Sequence, residues 1–98
     1  MAKTSLATAS SIAASTTSVE LLAQNVSRLE DTIANDSTAT LYVLEGTGTA
    51  SSTNFTYLVP PKSDEFGLNY YVASEWLGPV QGAWSAANGA ARITRRST

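Results

Sequence analysis

SVELLAQNVSRLEDTIANDSTATLYV, residues 18–43, holds the choice between a helical and a sheet protein. Taken as a helix from Val19 through Ile33, it places Leu22, Val26, Leu29 and Ile33 at i, i+4, i+7 spacing with charged residues between them. Taken as strands, it places Val19, Leu21 and Ala23 on one face and Glu20 on the other. Strands are favoured, because Asn25, Ser27 and Thr32 weaken a helix and nothing beyond Ser18 frames its start. Asn35-Asp36-Ser37 is then a tight turn. Asn and Asp side chains bond back to nearby backbone, so a strand ending near Ala34 is predicted to form a hairpin with one starting near Thr38. In the second strand Thr40, Tyr42 and Leu44 face one way while Leu41 and Val43 face the other. Apolar groups on both faces predict a central strand, or one whose outer face another subunit covers.

Toward the carboxy terminus, NFTYLV puts Phe55, Tyr57 and Val59 on one side of a further strand, which Pro60-Pro61 ends for want of amide protons. PPKSDEFG, residues 60–67, is charged and irregular and is expected to be an exposed loop. NYYVAS is the next strand; after a turn at Leu77-Gly78-Pro79 comes another, with Val80, Gly82 and Trp84 aligned. Asn88-Gly89 is the favoured pair for a type I′ hairpin and leads into GAARITR, where Ala91 and Ile93 alternate with Arg92 and Thr94. Toward the amino terminus, residues 2–17 are nearly all Ala, Ser and Thr, with Leu6 and Ile12 sharing a face at strand period. An extended arm over residues 1–17 is expected, with Leu6 and Ile12 as pegs for a partner. Six to eight short strands, spaced by about 8–12 residues, predict an all-β protein. Residues 18–98 are expected to be a small antiparallel β-sandwich or a partly open barrel.

Composition bounds what such a domain does. At 98 residues it is one domain with one modest core. Hydrophobic residues make up 43% but charged residues only 14%, against roughly 25% in ordinary globular chains, so hydroxyls and small groups must form much of the surface. A lean core gains stability from neighbours, at about 25 cal/mol per Å² of apolar surface removed from water, and homo-oligomerisation is expected. A net charge of −2 offers no field for nucleic acid. No apolar run approaches the about 18 residues of a membrane span, and the amino terminus lacks the apolar centre of a signal peptide.

The chemistry is sparse. With no histidine and no cysteine, Ser-His-Asp and thiol nucleophiles are excluded, as is any site built on imidazole or thiolate ligands. Asp64/Glu65 and Glu30/Asp31 are adjacent carboxylates of the kind that solvate a surface, and Gly46-Thr47-Gly48 lacks the lysine and helix of a phosphate loop. No catalytic residue, metal, cofactor or small-molecule substrate is expected. Tyr70, Tyr71, Trp76 and Trp84 could form an aromatic platform for sugars or nucleobases, but Trp84 alternates with Gly82 and Val80 and belongs to the core, while Tyr71 and Trp76 flank a bend and are candidate surface contacts. Arg92, Arg95 and Arg96 close the chain as a small basic patch.

Two stretches carry a resemblance. Residues 16–56, with Asn25, Arg28, Ile33, Asn35, Asp36, Ser37, Leu41 and Tyr42, and residues 78–94, with Gly78, Val80, Gly82, Trp84, Ser85, Ala87, Gly89, Ala91, Arg92 and Thr94, are similar to a group of small bacteriophage and prophage proteins. The resemblance implies a virion component with a β-sandwich fold, of the kind that decorates or cements the capsid. Its implied partners are the major capsid protein or other virion subunits, and its implied location is the phage particle, assembled in the bacterial cytoplasm. A tail-associated carbohydrate-binding module using Tyr71 and Trp76, or a neck or tail accessory subunit, is the alternative. PPKSDEFGLNYYVASEW is longer and more charged than the glycine-rich turn of those relatives, and is expected to be specialised for a partner. The candidate partner contacts are therefore Leu6, Ile12, Lys62, Asp64, Glu65, Phe66, Tyr71 and Trp76.

Overall fold

Residues 18–43 fold as strands in a computed structural model that describes residues 6–63 and 68–97. The strands, in chain order, are β1 Leu6–Ala13, β2 Val19–Leu22, β3 Arg28–Asp36, β4 Leu41–Glu45, β5 Tyr57–Val59, β6 Tyr70–Ala73, β7 Val80–Trp84 and β8 Ala90–Ser97. They form two antiparallel four-stranded sheets, ordered β1-β8-β3-β6 and β2-β7-β4-β5, packed as a β-sandwich that is not closed into a barrel. Between the sheets lie Leu21, Leu22, Ile33, Leu41, Val43, Val80, Trp84 and Ile93.

Both predicted hairpins are corrected. β3 lies between β8 and β6 in the first sheet, whereas β4 lies between β7 and β5 in the second, so Asn35 and Asp36 end β3 and the connection that starts at Ser37 changes sheets. Asn88-Gly89 likewise carries the chain from β7 in the second sheet to β8 in the first. Only Gly89 of that pair has positive φ, at 73°, so the turn is not type I′. The chain bends close to both expected turns, but Asn35 and Asp36 are the last residues of β3, paired with Ala91 and Ala90, and the bend begins at Ser37; the same residue types serve a hairpin or an arch, and long-range pairing decides between them.

Two bulges reset the alternation. A register shift between Glu20 and Leu22 lets Leu21 and Leu22 both enter the core, which strict alternation of Val19, Leu21 and Ala23 does not allow. A second shift between Arg28 and Glu30 turns Arg28 inward, onto the side that also carries Asp31, Ile33 and Asn35. β4 is central, and its outer face is covered by the chain's own residues 46–56: Phe55 packs on Tyr42 with ring centroids 5.4 Å apart, and Ala50 and the outward-facing Ala83 are both buried. Phe55 thus leaves the side shared by Tyr57 and Val59. Of residues 1–17, Leu6–Ala13 are extended as β1, which pairs with β8 from Leu6↔Ser97 to Ala13↔Ala90 as an edge strand, and the chain bends at Thr16 and Thr17.

Candidate functional site

The polar residues that stand out in the sequence meet one another in space. Asn35 is buried with its amide fully used: Oδ1 accepts the Trp84 indole N–H at 3.0 Å, and Nδ2 donates to the carbonyls of Ala39 at 2.9 Å and Pro60 at 3.1 Å. Asn88 Oδ1 accepts from the Ser37 hydroxyl, the Thr38 hydroxyl and the Thr38 amide at 2.9, 2.9 and 3.2 Å. The two sheet-changing connections are therefore bonded to each other. Beyond them Asp36 accepts from Arg92 at 2.8 Å and Lys62 at 3.2 Å, and these hydrogen bonds hold its carboxyl below the usual 3.8. The carboxy-terminal arginines meet partners within the chain: Arg92 also reaches Ser11, Arg95 reaches Ser10, and Arg96 lies 3.7 Å from Glu30.

At the opposite end of β3, Arg28 is a buried hub. Its guanidinium donates to Asp31 at 2.8 Å and to the carbonyls of Trp76, Gly78 and Ala23 at 2.7, 3.1 and 2.8 Å. A planar fork with five donors is what such a set of acceptors requires. It pins residues 76–78, the approach to β7, against the start of β3. Trp76 is fixed a second time, because its indole N–H donates to Pro79 O at 2.9 Å and its ring packs on Gly78, where an added Cβ would come within 2.6 Å.

This pinned loop borders the open side of the sandwich, where β5 and β6, the outermost strands of the two sheets, approach each other. Tyr57 packs on Tyr71 with centroids 5.2 Å apart, and the Tyr71 hydroxyl donates a short hydrogen bond to Glu45 Oε2. Two hollows share Tyr57 and Val72 as a common wall. One, of about 340 Å³, is lined by Glu45, Glu75 and Trp76; the other, of about 430 Å³, by Leu58, Leu68 and Tyr70. Exposure here is high for apolar groups, reaching 70% at Leu68, 52% at Leu58 and 47% at Tyr70. The parity of β6 explains the face: Tyr71 and Ala73 point into the core, so Tyr70 and Val72 point out.

Burial, and then the bond to Glu45, raise the Tyr71 hydroxyl well above its ordinary 10.0. Unfolded, the phenol ionises near pH 10; folded, it does not, so the unfolded chain binds fewer protons at high pH. Folding stability is therefore complete below pH 10 and declines as pH rises beyond it. Denaturant midpoints measured from pH 8 to pH 11 should fall above pH 10 in the wild-type chain, and fall less in Tyr71→Phe.

The candidate contacts fall in different places. Leu6 is exposed on the edge strand, whereas Ile12 is half-buried and packs against the core from the same strand. Lys62 pairs with Asp36. Asp64, Glu65 and Phe66 lie outside the described residues. Tyr71 is buried, only 5% exposed, so it offers the groove no open aromatic face; Trp76, 36% exposed, stands on the groove wall. Sequence reasoning grouped Tyr70 with Tyr71 and Trp76 but missed Tyr57, Val72, Glu45 and Glu75 as their neighbours. Strict alternation in YYVA was the available signal for Val72. Compared with family models, with curated proteins and with solved structures, the chain matches none.

Proposed function

We propose that this chain is a non-catalytic structural subunit of a bacteriophage particle, a decoration or cement protein that sits on the outside of the head in several copies and strengthens contacts between shell subunits. The observation that carries this reading is the exposed apolar strip along β5 and β6, formed by Tyr57, Leu58, Leu68, Tyr70 and Val72. Apolar surface gathered on one side of a small domain is characteristic of a surface that another protein covers. The body that carries the strip is cross-braced by Asn35, Asn88 and Arg28, which suits a part that must hold its shape under load. The similarity of residues 16–56 and 78–94 to small phage virion proteins supplies the biological setting. Attachment acts by mass action: each subunit that binds only the assembled shell raises the cost of taking the shell apart.

Particles purified by density gradient from the phage or prophage that encodes the chain provide the test. Quantitative mass spectrometry should find the chain at a fixed ratio to the major capsid protein, and a density map should place it on the outer surface of the head. A chain absent from purified particles would overturn the assignment.

A further inference from the structure

The groove carries more information than an apolar patch does. Its two walls are sheet edges: β5 and β6 each have a strand partner on one side only among the described residues, so each has an edge along which an extended chain can hydrogen-bond. Its two ends differ in chemistry. At one end Glu45 and Glu75 stand with Trp76 and Tyr57; at the other Leu58, Leu68 and Tyr70 make an apolar wall. The ion pairs among the described residues engage Glu30, Asp31 and Asp36, and none engages Glu45 or Glu75. Arg28, which approaches from inside, is already bonded to Asp31 and three carbonyls. Two carboxylates beside a fixed indole attract a cation both by charge and through the ring face, and Arg or Lys is the side chain that fits. The indole needs no rearrangement to receive it, since Pro79 and Gly78 already hold the ring.

We propose that the groove between β5 and β6 receives an extended polypeptide segment, with an Arg or Lys side chain between Trp76, Glu45 and Glu75 and an aliphatic or aromatic side chain on the same face against Leu58, Leu68 and Tyr70. In an extended chain, residues i and i+2 share a face about 7 Å apart, so the two anchors are separated by one or three residues. That the segment belongs to a neighbouring virion subunit rests on the role proposed above; the chemistry of the segment does not.

The test uses the purified full-length chain and a displayed library of random heptapeptides as the probe. Selected peptides should carry Arg or Lys two or four positions from Val, Ile, Leu or Phe, and their binding should weaken with added salt. Glu75→Gln and Trp76→Ala should each weaken binding at least tenfold. Glu75→Lys, an exposed charge reversal that leaves the core untouched, should abolish selection of basic peptides while keeping the wild-type unfolding midpoint. No enrichment, enrichment without a basic residue, or binding of a glycan array lost in Trp76→Ala would overturn the proposal. The selection needs no particle, so the two readings fail separately: a chain missing from virions removes the structural role and leaves selected peptides standing. Conversely, Glu75→Lys incorporated into particles at the wild-type ratio, with no peptide selected, removes the groove and leaves the role.

Discussion

Arg28→Ala is expected to lower the unfolding free energy by about 3–5 kcal/mol, the range for removing one partner of a buried ion pair. The side chains of Arg28 and Asp31 are each 1% exposed, so among the described residues the Asp31 carboxylate would be left in the interior with only the Arg96 amide, 3.1 Å away, as a donor. Three carbonyls would lose their donor at the same time, and unsatisfied buried groups cost about 1–3 kcal/mol each unless water reaches them. A 98-residue domain has about 5–15 kcal/mol in total, so the variant stands near the edge of folding. Arg28→Lys keeps the charge but cannot span Asp31, Trp76, Gly78 and Ala23 from a single ammonium; it should lose about half as much. Urea unfolding at pH 7 measures both. A loss under about 1 kcal/mol in Arg28→Ala would mean that residues 76–78 are held mainly by other bonds, such as that from the Asn25 amide to the Leu77 carbonyl and that from the Trp76 indole to Pro79 O.

Gly89→Ala is expected to cost about 3–5 kcal/mol, for two reasons that add. A φ of 73° lies in the left-handed region, where a Cβ costs about 1–2 kcal/mol. The new Cβ would also fall 2.2 Å from the Asp36 carbonyl and 2.8 Å from Ser37 Cα, both backbone atoms that cannot swing aside. The two sheet-changing connections must then separate, which strains the Asn88 bonds to Ser37 and Thr38, each about 0.5–1.5 kcal/mol. Gly48→Ala is the control, because its Cβ would meet only side-chain ends, Leu44 Cδ2 at 3.1 Å and Asn54 Nδ2 at 3.8 Å; a change below about 1 kcal/mol is expected. Equal midpoints for the two variants in thermal or urea unfolding would show that the connections do not interlock in solution.

The interlock also accounts for where sequence reasoning stopped. Asn35, Asp36, Ser37, Asn88 and Gly89 carry turn signals, and the chain does turn after each group. Turn residues specify local dihedrals and side-chain capping over about four positions. They hold no information about whether the strand that follows rejoins its predecessor's sheet or crosses to the other. That choice depends on contacts more than 45 residues apart, such as Trp84 to Asn35 and Asn88 to Thr38, which no local window contains.

Several features follow from the chain's local pattern: the all-β class, the positions of most strands, the burial of Trp84 beside Val80 and Gly82, and the lack of histidine and thiol chemistry. Period-two alternation and the punctuation of Gly, Pro and Asn are local properties, and they survive folding. Tertiary structure alone decided the rest. It set the sheet order, turned Arg28 inward through a bulge, buried Tyr71 while exposing Tyr70, and brought Glu45, Tyr57, Glu75 and Trp76 from three separate stretches to one groove. The physical reason is that a groove between two sheets belongs to neither strand that borders it; it exists only once the sheets have packed.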